Sequence, residues 1–166
     1  IPDMLALIRA YAIPKVRSVV TGGDTRRKSV ECGLAAVSEQ TQYIASSLIT
    51  ADSLLYIGRG LDYALSMEGS LKLKEISYIH SESYAAGELK HVTISLITEN
   101  MPVIAVATQK ALREKTISNI KEVKARDAYV VGVVQDGDTE VGKTVDDLLK
   151  VPASDDFVVP ILAIIP

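Results

Sequence analysis

Short, unbroken apolar runs alternate along this chain with stretches of helical periodicity. SLLYIGRG (53–60) is an apolar run that ends in glycines, the pattern of a strand buried on both faces that enters a tight turn. PVIAVAT (102–108) and AYVVGVVQD (128–136) repeat the pattern, and DLLKVPA (147–153) is a weaker fourth case. Between them, KALREKTISNIKEVKARDA (110–128) is amphipathic, with Leu112, Ile117, Ile120, Val123 and Ala125 near one side. Another helix runs from Asp62, a candidate cap, to about Tyr78. This alternation predicts an α/β fold: a three-layer α/β/α sandwich with a parallel sheet, right-handed crossovers and a flavodoxin-like arrangement. The strands near 53–58, 102–107 and 129–135 are expected to be parallel neighbours. HSESYAAGELKH (80–91) reads as a polar connection.

The N-terminal third is less regular. Residues 1–12 suggest a short helix ending before Pro14, and residues 13–27 are linker-like, with Pro14, Gly22, Gly23, Asp24 and the basic pair Arg26–Arg27. Residues 28–50 regain helical spacing through Val30, Leu34, Val37, Tyr43, Ile44 and Leu48. We therefore expect residues 1–50 to form a helical and linker segment packed on a domain at 51–166. The chain does not begin with Met, and it stops on VVPILAIIP, whose six branched aliphatics carry no polar cap. It reads as a piece of a longer protein, truncated at its C-terminal end, with this segment covered by a partner or by further chain.

Composition narrows the function classes. With 166 residues, 48% hydrophobic and 23% charged, the chain has material for one domain core and is not disordered. A net charge of −3 shows no basic excess, so no nucleic-acid partner is expected. Cys32 is the sole cysteine, which excludes a disulfide framework and fits a reducing cytoplasm. With His80 and His91 as the only histidines, no metal site is expected. No apolar run reaches the ~18 residues of a spanning helix, and the N-terminus lacks the pattern of a signal peptide, so no membrane association is expected.

One helix carries an unusual pattern. In EGSLKLKEISYIH (68–80), Glu68, Lys72 and Glu75 share a face with Leu61, Ala64, Leu65, Ile76 and Ile79. Two readings stand. The charges form an ordinary salt-bridged helix face, Glu68 to Lys72 at i+4 and Lys72 to Glu75 at i+3. Alternatively, they mark a site, since burying charges among aliphatics is costly unless they serve a purpose. A carboxylate there could act as a general base, and His91 in the following polar stretch as an acid or base. The GRG turn (58–60) lacks the further glycine and lysine of nucleotide-binding loops, so it reads as a tight turn that lets strand and helix pack closely. Cys32 reads as a small buried residue and Arg26–Arg27 as solvated surface.

SMEGSLKLKEISYIHSESYAAGELKH (66–91), with LLYIGRG before it and ISLITENMPVIAVAT after it, closely resembles the isomerase half of the glutamine–fructose-6-phosphate amidotransferase (glucosamine-6-phosphate synthase) family. The match is continuous from Ser53 to Thr108, looser to Pro166 and poor over residues 1–50. The resemblance implies the second of two tandem sugar-isomerase (SIS) domains, each a parallel sheet between helical layers. It implies a part in making glucosamine 6-phosphate from fructose 6-phosphate and glutamine. On this reading Glu75 moves a proton between C1 and C2 of the sugar, and Lys72, one helical turn away, acts on that carboxylate with its charge. His91 opens the sugar ring in the active site of a neighbouring subunit. The implied partners are a sugar phosphate, a sister SIS domain and a second copy in a homodimer. No cofactor is implied.

Three departures accompany the match. Val92 follows His91 where the family has glycine, so a differently shaped loop is expected. VATQKAL (106–112) offers only Thr108 where a phosphate-binding SIS domain has a Ser/Thr-rich loop. The family's tail lysine, which forms an imine with the sugar, lies beyond Pro166, so the isolated chain is expected to be inactive. A non-catalytic sugar-phosphate sensor, a purely structural dimerisation module and a deglycase-type SIS enzyme remain the alternatives.

Overall fold

The computed structural model describes residues 38–166 apart from Thr93, Phe157 and Ile165. The expectations for residues 1–37, including Cys32 and Arg26–Arg27, lie outside the described residues. Helix α1 (Ser38–Leu48) leads into β1 (Ser53–Gly58), α2 (Leu61–Ser77) and β2 (His80–Ala85). A short helical turn, α3 (Leu89–Val92), precedes β3 (Pro102–Val106), α4 (Arg113–Lys124) and β4 (Tyr129–Gln135). Strand β5 (Asp147–Val151) and helix α5 (Val159–Ala163) complete the described chain. The five strands are all parallel, in the order β2-β1-β3-β4-β5. That is the flavodoxin-like order, and the three strongest apolar runs are adjacent at its centre, as their two-sided burial requires.

Alternation along the strands builds two cores. Leu55, Ile57, Val103, Ala105, Val130 and Val134 face one side, where Ile120 and Val123 of α4 close over them with Ala86 and Leu89 from the segment after β2. Val106, Val131, Val133, Leu149 and Val151 face the other, beneath Ile44 of α1, Leu65 of α2 and Val159 of α5. The C-terminal aliphatic segment is thus partly covered by its own domain. Val159 is fully buried there, whereas Ile161 is 67% exposed.

Strand β2 corrects the reading of residues 80–91 as a polar connection. Its residues, HSESYA, pair in parallel with β1 from Ser53–His80 to Gly58–Ala85. As an edge strand it needs few apolar side chains, and its one fully buried position holds Ser81, bonded to Ser70 of α2. No hydrophobic alternation therefore announces it.

Helix α2 packs unusually close to the sheet. It buries Asp62, Leu65, Ser66 and Ser70, and a Cβ added at Gly69 would stand 3.0 Å from the Tyr56 ring. Ser66 and Ser70 satisfy their hydroxyls locally, on the Asp62 carbonyl and on Ser81, so the polar face costs little to bury. Gly58, the last residue of β1, sets the approach: a Cβ there would lie 2.4 Å from the Asp62 carbonyl oxygen, a backbone contact with no flexible side chain to yield. Gly58→Ala is therefore expected to destabilise the chain by about 3 kcal/mol, the upper range for overpacking. Urea denaturation measures it, and an unchanged midpoint would show that α2 can lift away freely.

Candidate functional site

Because small and polar residues, with Leu65, face the sheet, several larger side chains of α2 are turned outward. Leu61, Met67, Leu71 and Ile76 are 44%, 46%, 44% and 79% exposed. This corrects the apolar stripe expected from spacing: of Leu61, Ala64, Leu65, Ile76 and Ile79, only Leu65 is buried. The charges sit on the outward surface. Lys72 Nζ donates to Glu75 Oε2 at 2.9 Å and stands 3.7 Å from Glu68 Oε1. The hydrogen bond to Glu75, then its charge, raises the Lys72 ammonium above its ordinary pKa. Lys72 and Glu75 project together, as their spacing requires, but their side chains are 52% and 51% exposed. Within this chain they stand on an open helix face.

An exposed pair of this geometry contributes little to folding. Its chemistry is directional, however. Lys72 occupies one carboxylate oxygen of Glu75 and leaves Oε1 without a hydrogen-bond partner among the described residues. A base set in aliphatic surface, fixed by a cation and with one oxygen open, can accept a proton once another surface covers it.

His91 lies elsewhere. Helix α2 returns antiparallel to the strands, so Glu75, in its last turn, lies toward the N-terminal ends of the strands. His91 follows the C-terminal end of β2, a strand length of about 17–20 Å away. The two residues also belong to opposite layers. Helix α2 joins the core beneath α1 and α5, whereas Ala86 and Leu89, beside His91, belong to the core beneath α4. His91 is exposed, and its imidazole has no hydrogen-bond partner among the described residues. Val92, expected to reshape this loop, is the last residue of the helical turn Leu89–Val92, a right-handed backbone that does not demand glycine.

Its place at the start of α2 makes Asp62 a candidate cap. It does not cap α2; Gly60 holds that position at φ 58 with no side-chain cap. The Asp62 carboxylate, 1% exposed, instead accepts from the N–H of Thr108 at 2.9 Å and of Gln109 at 3.2 Å, and from the Thr108 hydroxyl. In return the Gln109 amide oxygen, oriented to satisfy both, accepts from the N–H groups of Leu61 at 2.7 Å and Asp62 at 3.1 Å. The turns after β1 and β3 thus cap each other. The carboxylate fills the place an anion would take at the start of the β3–α4 loop, and it uses the only hydroxyl that VATQKAL offers there. The first N–H groups of α2 are likewise engaged, which leaves GRG as a tight turn.

These residues lie close to a polar crevice of about 250 Å³ lined by Thr108, Lys110, Arg113, Gln135, Asp136 and Asp138. Arg113 is paired there with Asp138 at 3.0 Å. Among the described residues, no group of three or more His, Cys, Asp or Glu could hold a metal ion, and no helix is long and apolar enough to cross a membrane.

Desolvation raises the Asp62 carboxyl above its ordinary value of 3.8, against the three hydrogen bonds that lower it. A carboxyl raised in the native state binds its proton more tightly folded than unfolded. Its ionisation therefore weakens folding as pH rises through that titration. Carboxyl carbon shifts in NMR should place the Asp62 midpoint above 3.8, and Thr108→Val, which removes one donor, should raise it further. A midpoint below the ordinary value would mean that the hydrogen bonds outweigh burial.

A family model described as the SIS domain matches residues 47–165. Over 164 residues the chain is 50% identical to a glutamine–fructose-6-phosphate aminotransferase (isomerizing) from Methanosarcina mazei, covering 96% of this chain and 26% of that protein. Over 128 residues it is 52% identical to a protein of the same name from Caldanaerobacter subterraneus subsp. tengcongensis, covering 77% of this chain and 21% of that protein. The solved C-terminal domain of glucosamine-fructose-6-phosphate aminotransferase from Francisella tularensis aligns with a TM-score of 0.72 and 38% identity, covering 82% of this chain and 38% of that chain. The chain thus spans about a quarter of the length of the curated relatives it matches.

Proposed function

The chain belongs to the SIS-domain family, and from that premise we propose that residues 51–166 are the second SIS domain of a glutamine–fructose-6-phosphate aminotransferase of the isomerizing type. The substrate is a sugar phosphate, and the whole protein makes glucosamine 6-phosphate in the cytoplasm. Glu75 is the base that carries a proton between C1 and C2 of the open-chain sugar. Its open Oε1 takes the proton from one carbon and returns it to the next, while Lys72 holds the other oxygen. His91 assists ring opening, the step that needs proton transfer at the ring oxygen.

The observation that carries this reading is the outward face of α2, where a carboxylate–ammonium pair is set among exposed Leu61, Met67, Leu71 and Ile76. Covering that face with a sister SIS domain or a second copy would bury the aliphatics and desolvate the carboxylate together. The placement of His91 on the opposite layer supports its use in a neighbouring subunit's site, and hence a homodimer. The engagement of Thr108 by Asp62 supports placing the sugar's phosphate on the sister domain, not on this one. A sugar-phosphate sensor would need no base, and a purely structural module would need neither Glu75 nor His91.

In the full-length chain, Glu75→Gln is expected to lower sugar-phosphate isomerisation by roughly 10²–10⁴-fold, since glutamine keeps the shape but cannot take up the proton. Glutamate release from glutamine should persist in the same preparation, with circular dichroism verifying the fold. Isomerisation at the wild-type rate would return the charged face to a paired structural surface.

A further inference from the structure

Between the turn after β1 and the segment that carries His91 runs a continuous set of polar contacts that the function above does not use. Arg59, in that turn, donates from Nε to Asn119 Oδ1 of α4 at 2.9 Å. Asn119 is 5% exposed, and its Nδ2 donates to Glu122 Oε2 at 3.2 Å. One helical turn separates these two residues, so both point along one side of α4. Glu122 Oε1 is then bound by Lys90 at 2.8 Å, and the carboxylate is only 18% exposed. Lys90 immediately precedes His91.

A second contact reaches the same segment. The Arg59 guanidinium lies so close over Gly87 that a Cβ added there would stand 2.7 Å from Nη2 and 3.2 Å from Cζ and Nη1. Gly87 belongs to the turn Ala86–Glu88, which leads directly into α3. Arg59 therefore lies against the segment at its entrance, over Gly87, and is linked to Lys90 through Asn119 and Glu122. The apolar anchors of this segment, Ala86 and Leu89, are fully buried. They fix depth, while the polar contacts fix rotation of the turn about its axis. Exposed pairs of this kind contribute little to folding. This one is different in that its acceptor is largely buried and is held by a buried amide.

We propose that Arg59, Asn119, Glu122 and Lys90 are positioning residues that set the direction of the His91 imidazole. The inference rests on the reading of His91 given above. It assigns the arginine of the GRG turn a role at the far side of the sheet from Glu75.

The test uses the full-length enzyme, with fructose 6-phosphate isomerisation followed as kcat and KM and with melting temperature measured alongside. His91→Asn is the reference. Gly87→Ala, Glu122→Gln and Lys90→Met should each lower kcat by roughly ten- to a hundredfold, the range for a misplaced catalytic group, with KM little changed. Two combinations separate positioning from general loss of structure. Gly87→Ala should add nothing to Arg59→Ala, because the guanidinium it would strike is gone. Lys90→Met should add nothing to Glu122→Gln, since the contact it breaks is already gone. Lys90 is 59% exposed, so Lys90→Met keeps the test open if a buried variant fails to fold. The proposal is overturned if His91→Asn is inactive while Lys90→Met and Gly87→Ala turn over at the wild-type rate. It is also overturned if the paired losses simply multiply. Wild-type turnover by His91→Asn would instead remove the role of His91, and with it the purpose of the contacts.

Discussion

The close approach of α2 to β1 and β2 is the constraint on which the site depends. Gly58 lets the helix start against the strand end, and Gly69, Ser66 and Ser70 let its body lie nearly on the sheet. A helix that uses small residues inward must turn its larger ones outward. Leu61, Met67, Leu71 and Ile76 are therefore exposed because the inner face has no room for them. The charged residues Glu68, Lys72 and Glu75 share that outer surface. Apolar area of this kind favours association, and association would place the charges where desolvation strengthens their interactions. Packing inside the domain and chemistry outside it are thus two sides of one helix.

The same layering divides the candidate residues. Glu75 and His91 lie in different layers and toward different ends of the strands. The β3–α4 loop, where a parallel sheet commonly receives an anion, is closed by the domain's own carboxylate at Asp62. The domain therefore presents a carboxylate on one surface and a histidine on another, with its loop N–H groups occupied internally. Such an arrangement makes sense in an assembly, where each surface meets a different neighbour. Among the described residues, Glu75 is paired only with the exposed Lys72.

The central strands were legible because burial on both faces leaves unbroken apolar runs, and α4 was legible because one of its faces packs on the sheet and the other meets water. Strand β2 was not, since an edge strand covered by a serine-lined helix has no apolar alternation to show. Spacing groups Leu61, Ala64, Leu65, Ile76 and Ile79 with the charges of α2, yet only Leu65 meets the core: periodicity reports which side chains share a face, not which face is buried. Asp62 was assigned to a cap because it stands at a helix start. Its real partners, Thr108 and Gln109, are more than forty positions away in sequence, beyond the reach of local spacing. The Arg59–Asn119–Glu122–Lys90 contacts were hidden for the same reason. Glu75, Lys72 and His91 stand out as charges on an apolar helix face and a histidine in the next polar stretch, the resemblance of their segment to a known family implies their roles, and the structure supplies the layers on which they stand.

The claim that Glu75 and His91 of one chain serve different sites is tested most directly by mixing two inactive full-length variants, Glu75→Gln and His91→Asn. After denaturation and joint refolding at equal amounts, random pairing would leave about half of the dimers mixed, each with one intact site. The account predicts recovery of isomerisation to about a quarter of the wild-type level, scaling with the mixed fraction measured by differently tagged chains. A mixture that forms tagged heterodimers yet stays as inactive as either variant alone would contradict it, and would place both residues in one site of one chain.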